Sequence, residues 1–221
     1  MNNRLLKFAS IGKKVTMGLA GLFLILFLLV HLGINLTLIR NDEGEWFRAA
    51  SGFMGSNYLV KVFEIVLGAA LLLHMILGVI LWFENRMSRP VRYFRTNRSD
   101  TSFLSKYMFH TGVVIAVFLV IHFINFYFVK LGIVDPPPGV DTHDFYTMAR
   151  LLFTNPVYSA IYIVALILMG FHLNHSFQSA FQTLGLNHNR YYTLIKRMAL
   201  VYAVVVAAGF ILIPVFYLIK Y

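Results

Sequence analysis

Five apolar stretches dominate this chain, each about as long as a helix must be to cross the hydrocarbon core of a bilayer, roughly 20 residues. They cover residues 15–38, 58–83, 107–129, 157–181 and 198–219. Only 13% of the 221 residues are charged and 59% are hydrophobic, too apolar a balance for a water-soluble domain of this size. The expected fold is an all-α integral membrane protein, a bundle of five transmembrane helices forming a single domain over residues 1–221. Short polar connectors separate the spans, and the one containing Asp135-Pro-Pro-Pro-Gly139 reads as a stiff turn. No internal repeat or low-complexity segment is evident. The first apolar run is too long for a signal-peptide core and lacks a small-residue cleavage site, so it reads as a retained anchor.

Charge sorting predicts the orientation. The segments before span one, between spans two and three, and between spans four and five hold thirteen of the nineteen Lys and Arg residues. They are Arg4, Lys7, Lys13 and Lys14; Arg86, Arg89, Arg92, Arg95, Arg98 and Lys106; and Arg190, Lys196 and Arg197. The other side balances six basic residues against six acidic ones. The positive-inside rule then places the N-terminus in the cytoplasm and the C-terminus outside. The net charge of +10 is not a nucleic-acid signature, because the basic residues flank apolar spans instead of forming one stripe.

Four of the eight histidines lie deep inside four different spans. Ionisable residues inside a membrane are costly and point to function. Taking each span's midpoint as the bilayer centre, His31 and His122 fall about 6 Å toward the outside. His74 and His172 fall roughly 5 Å toward the cytoplasm on the same geometry. Imidazole is a common ligand of haem iron, and two level histidines from different helices are what one haem between helices requires. Two such levels, on the order of 10 Å apart, suggest two haems stacked across the membrane. With both axial positions filled, such irons suit electron transfer. The chain contains no cysteine, which removes disulfides, thiolate metal sites and iron–sulfur ligation.

The remaining histidines compete with these four. His175 is three residues after His172 and points to a similar face, so either could be the ligand. His110 lies near the cytoplasmic interface, where a haem propionate, a quinone or water would meet it. His143 and His188 sit in connectors. Gly18, Gly21, Gly33, Gly68, Gly78, Gly112 and Gly170 allow close approach of helices or of a flat macrocycle, as small residues do in any membrane bundle.

The phrases around these histidines resemble a known family. Ser10-Ile-Gly-Lys-Lys-Val-Thr-Met-Gly-Leu-Ala-Gly-Leu-Phe23, leading to His31-Leu32, is similar to the first helix of the cytochrome b subunit of succinate:quinone oxidoreductases. So is Phe171-His172-Leu173-Asn174-His175, followed by Phe181-Gln-Thr-Leu-Gly-Leu-Asn-His188, for the fourth. The resemblance is to the single-chain, five-helix, two-haem type and covers nearly the whole chain. It implies an outer haem b held by His31 and His122 and an inner one held by His74 and His172, which favours His172 over His175. It further implies a multi-pass subunit of the bacterial inner (plasma) membrane, working in the respiratory chain and tricarboxylic acid cycle. That subunit anchors a succinate dehydrogenase or fumarate reductase. On the cytoplasmic face it docks a flavoprotein with covalent FAD and an iron–sulfur protein, where dicarboxylate chemistry takes place. It exchanges electrons with a membrane quinone, menaquinone being the expected one. Pairing of the complex into dimers is left open. Some relatives carry a glutamate two residues before the fourth-helix ligand, where this chain has Gly170, so proton transfer by that route is not expected here.

Quinol oxidation releases protons and needs an acceptor. Glu64 lies about 9 Å inside the outer end of span two, and Glu45 and Glu43 in the outer connector are the other candidates. Propionate partners are Lys13, Arg92, Lys196 or Arg197. Two alternatives use the same spans: a dihaem anchor for another dehydrogenase such as a hydrogenase, or a haem-free proton-coupled transporter with the histidines and Glu64 as its relay.

Overall fold

Lipid offers no partner to a backbone N–H or C=O, so a spanning segment must satisfy its own, and an α-helix does so. The computed structural model describes residues 3–87, 107–186 and 188–221, with side chains described from residue 11 onward except that of 189. Helix α1 runs Asn3–Asn35 and tightens into a 3₁₀ turn, Leu36–Ile39. Then come α2 (Glu45–Ser56) and α3 (Tyr58–Met87). Helix α4 (Met108–His122) continues through a π-helical segment, Phe123–Tyr127, into Phe128–Lys130. The chain closes with α5 (Phe145–Thr154), α6 (Pro156–Thr183) and α7 (Asn189–Lys220). Among the described residues there is no strand.

Five helices are long and apolar enough to cross a membrane: Ile11–Ile39, Tyr58–Met87, Met108–Lys130, Pro156–Thr183 and Arg190–Lys220. The chain is thus an all-α, multi-pass membrane protein with the five spans expected, several helices running past the apolar stretch. Of the basic residues behind the expected orientation, Arg89, Arg92, Arg95, Arg98 and Lys106 lie outside the described residues, as do the side chains of Arg4 and Lys7.

Two expected connectors prove to contain helices, α2 and α5. Each starts at a cap: Gly44 takes a left-handed φ of 84° before α2, and the Asp144 carboxylate accepts the Thr147 N–H at the start of α5. Asn57 turns the chain from α2 into α3, its Oδ1 accepting from the N–H groups of Leu59 and Val60. Asn155 does the same for α6, with Pro156 at the first helical position.

The tightest packing joins α1, α6 and α7. A Cβ on Gly170 of α6 would stand 3.1 Å from Ala207 Cβ, and one on Gly209 of α7 would stand 2.9 Å from Leu32 of α1. Hydroxyls of Tyr202 and Tyr217 donate to the Ile25 and Leu38 carbonyls at 2.7 and 2.9 Å, pinning α7 along α1. Helices α3 and α4 stand outside this core: 6% of the most apolar window of each is buried, against 33% for α6 and α7.

At one end, α2, α5 and the 3₁₀ turn form a cap. Arg48 binds it together, donating to Asp144 Oδ1 at 3.0 Å and to the Glu43 carbonyl at 2.8 Å while lying over the Tyr146 ring. Tyr146 in turn sits against Gly44, where a Cβ would overlap the ring carbons. Gly44→Ala therefore combines a strained φ with a clash. It is expected to destabilise by about 1–3 kcal/mol, read as a lower melting temperature of the detergent-solubilised protein.

The Asp144 carboxyl is partly desolvated, which alone would raise its pKa, but bonds from Arg48 and Thr147 outweigh this and hold it below the usual carboxylate range. A carboxylate held low stabilises fully above its unfolded pKa, about 3.9, and loses that contribution as pH falls through the lower native value. Arg48 is half exposed, so screening keeps the effect small. Between pH 7 and pH 3 the wild type should lose more thermal stability than Asp144→Asn, the two converging at the acid end.

Candidate haem-binding histidine pairs

The structure brings His31 of α1 and His122 of α4 together. Their ring centres are 6.0 Å apart with planes crossed at 88°. Phe27 stacks on His31 at 5.2 Å and Phe210 of α7 tilts against it at 5.6 Å. Around His122 stand Phe118, Phe126 and Tyr162, at 6.0, 5.2 and 6.3 Å. The pair thus sits in an aromatic sleeve. His122 Nδ1 is buried and has no hydrogen-bond partner among the described residues. The Asn35 amide nitrogen stands 3.4 Å from His31 Nδ1 while donating to the His31 carbonyl at 2.8 Å. A protonated His31 Nδ1 would need Asn35 to present its amide oxygen instead.

His172 of α6 lies within electrostatic range of both His74 and His175. Its Nδ1 is 3.2 Å from Thr111 Oγ1 of α4. The Thr111 hydroxyl already donates to the Met108 carbonyl at 2.9 Å, so its oxygen is left as an acceptor. With that proton bonded to the Met108 carbonyl, the imidazole donates from Nδ1 and leaves Nε2 bare, the tautomer that suits a metal ligand. His74 faces α1, where the Met17 backbone approaches its ring, but its Nδ1 is buried without a normal hydrogen-bond partner.

Two glycines make room for these rings. A Cβ on Gly21 would stand 3.5 Å from His74 Cε1, and one on Gly112 would stand 3.5 Å from His172 Cε1. Each glycine lies ten residues, roughly 15 Å, before the histidine that its own helix gives to the other pair. The sequence holds this twice, as Met17-x3-Gly21-x9-His31 and Met108-x3-Gly112-x9-His122. That pattern was the signal to be found, and a reading of apolar spans passes over it.

Among the described residues, no three His, Asp or Glu side chains converge as a protein-only metal site would require. Two ligands per level suit a metal that arrives with its own equatorial ring. Imidazoles on opposite sides of an iron, at about 2 Å metal–nitrogen distance, have ring centres roughly 6 Å apart and are free to cross. Edge-to-face packing permits the same spacing. Ligation through Nε2 would account for the ring spacing and leave each buried Nδ1 as a donor to a neighbour. The residues present fit haem.

The other candidates are scattered. Glu64 accepts from Lys130 Nζ at 2.7 and 2.9 Å, beside Tyr127, so it is half of an ion pair and not a lone acid. Glu45 is exposed in the first turn of α2, and Glu43 sits at a φ of 53° with its carbonyl bound by Arg48. Lys13 pairs with Glu84, and Lys196 lies over the Tyr192 ring. Arg197 borders an apolar groove with Phe177, Met198 and Tyr202, and Arg92 lies outside the described residues. None of the described basic candidates contacts a paired histidine. His110 is exposed beside Tyr107 and Phe109, and His188 caps α7 by accepting the Arg190 N–H. Gly170 meets α7 so closely that an acidic side chain there would force the helices apart.

The fold and site define a five-span membrane protein in which His31 meets His122 and His74 lies within electrostatic reach of His172. Compared with protein-family models, curated proteins and solved structures, the chain matches none.

The Glu64–Lys130 pair gives a direct test of its own. Removing either partner strands a charge where the bundle meets lipid. Glu64→Ala and Lys130→Ala should each lower the melting temperature more than the double variant does. Simple additivity in that cycle would show that the two ions do not depend on each other.

Proposed function

We propose that this protein is a dihaem cytochrome b, the membrane anchor of a succinate dehydrogenase or fumarate reductase, carrying electrons between membrane quinone and an iron–sulfur partner. The observation that carries the reading is the His31–His122 pair, 6.0 Å apart and drawn from helices that are not neighbours in sequence. His31 and His122 hold the outer haem b in this reading, and His74 and His172 the inner one. The family phrases in spans one and four point the same way. So does the bias of basic residues toward the N-terminal side, which orients that side to the cytoplasm and suits docking of a flavoprotein and an iron–sulfur protein. The protein lies in the bacterial plasma membrane on this reading.

When bound, haem would supply one-electron transfer. The chain's own part is positional. Thr111 orients the His172 ring, Gly21 and Gly112 leave width beside the inner rings, and Phe27, Phe118, Phe126 and Phe210 wall the outer pair with apolar rings. Glu64 and Lys130, beside Tyr127, form the polar group nearest in character to a quinol proton acceptor. Glu45 and Glu43 lie in the extramembrane cap, where released protons would leave.

Purified complex should contain two haems per chain, a covalently flavinylated partner and succinate- or fumarate-linked quinone activity. A nickel-containing partner instead would assign the chain to a hydrogenase. His31→Ala and His122→Ala should each remove one spectral component, and His74→Ala and His172→Ala the other. Gly21→Leu and Gly112→Leu should remove the inner component, although each sits on a helix bearing an outer ligand. Loss of one shared component in His31→Ala and His74→Ala would overturn the pairing. Colourless protein made with ample haem supply would overturn the reading.

A further inference from the structure

The outer pair has a polar neighbour with no other evident use. Immediately after His122 the helix takes one π-type turn, Phe123–Tyr127, an insertion often found at functional positions. The extra residue rotates the remainder of the helix by about 100°. Asn125 within it meets α6 while Lys130 beyond it meets Glu64 on α3. The Asn125 amide donates to Tyr162 Oη at 3.0 Å. Tyr162 is 4% exposed and its ring is clamped edge-on by Phe118 at 5.0 Å and Phe153 at 5.1 Å, so its hydroxyl cannot wander.

That arrangement leaves hydrogen-bonding capacity unspent. Tyr162 receives a bond from Asn125 but makes none with its own proton among the described residues, and the Asn125 carbonyl oxygen likewise has no described donor. Beside them, at 6.3 Å between ring centres, stands His122, whose buried Nδ1 has no partner. The inner site shows the contrast: there the Thr111 hydroxyl lies 3.2 Å from His172 Nδ1, within direct hydrogen-bond reach. A histidine that ligates a metal almost always donates its other N–H, and that bond makes the ligand more basic.

We propose that Asn125 and Tyr162 are positioning residues for His122, receiving its Nδ1–H through one bridging water and so tuning the potential of the outer iron. The inference rests on the dihaem reading. A bridging water needs two to four polar partners, and His122 Nδ1, Tyr162 Oη and Asn125 Oδ1 supply three. A more basic imidazole favours the oxidised iron, so the bridge lowers the outer haem's potential.

The test is a spectroelectrochemical titration of the purified complex. Tyr162→Phe keeps the ring and removes only the hydroxyl. It should retain both haems, raise the midpoint of the outer component and leave the inner one unmoved. Asn125→Ala should shift the same component the same way, and the double variant no further than the larger single one. Asn125→Asp, which restores an acceptor with more charge, should move it back or below the wild type. Phe153→Leu, which loosens the ring clamp without touching a polar atom, should lower the melting temperature with a far smaller shift in midpoint. An outer midpoint unchanged in both Tyr162→Phe and Asn125→Ala, with haem content intact, overturns the proposal and leaves the dihaem reading standing. Equal movement of both components also overturns it. Wild-type protein without haem defeats the parent reading instead.

Discussion

A bilayer gives polar groups nowhere to go, and almost every feature of this chain answers that constraint. Backbone groups are paired inside helices, and the side chains that remain polar inside the spans are few. Most have found partners: Asn125 with Tyr162, Glu64 with Lys130, Thr111 with His172, and two tyrosine hydroxyls with carbonyls of α1. The exceptions are informative. Three buried side-chain atoms lack a partner among the described residues, and two of them are histidine nitrogens of the proposed pairs. A polar atom left bare in such a medium is costly unless a ligand or water uses it.

Much of the fold could be read from the sequence because apolar length is a one-dimensional property. Each span is an uninterrupted run, and histidine depth comes from counting along it. The features that escape such a count depend on three dimensions. Helices α2 and α5 are short and amphipathic and read as connectors, since their aromatic and charged residues alternate without forming an apolar run. The π-helical turn after His122 leaves no compositional mark. Glu64 reads as a solitary acid until α3 and α4 are laid side by side and Lys130 comes within 2.7 Å. Lys13, expected to meet a cofactor carboxylate, is engaged by Glu84 across α1 and α3.

The division of labour along α1 and α4 is the most economical feature of the site. Each helix serves two places, presenting a glycine to His74 or His172 and, ten residues on, a histidine to the His31–His122 pair. Ten residues are nearly three turns, so glycine and histidine lie within roughly 80° of one another around the axis. A change in tilt of either helix would disturb both levels at once. The contacts of α1 with α6 and α7 resist such a change. Helix α3, which contributes His74, packs along α1 and is tied further by the Lys13–Glu84 and Lys130–Glu64 ion pairs.

The two levels are nonetheless not equivalent. His172 Nδ1 lies within direct reach of Thr111, whose hydroxyl also bonds a carbonyl of its own helix. At the outer level His31 meets an amide nitrogen and His122 meets nothing directly. Imidazole basicity follows the bond at the second nitrogen, so two chemically identical irons held by these pairs would differ in potential by virtue of the protein alone. On the dihaem reading, the inner level supports its ligand through Thr111 and the outer level through the proposed water at Tyr162 and Asn125, so the difference in potential follows from the relative strength of those two bonds. On that reading, the ease of electron passage between the two levels would turn on a threonine hydroxyl beside one pair and a tyrosine hydroxyl beside the other.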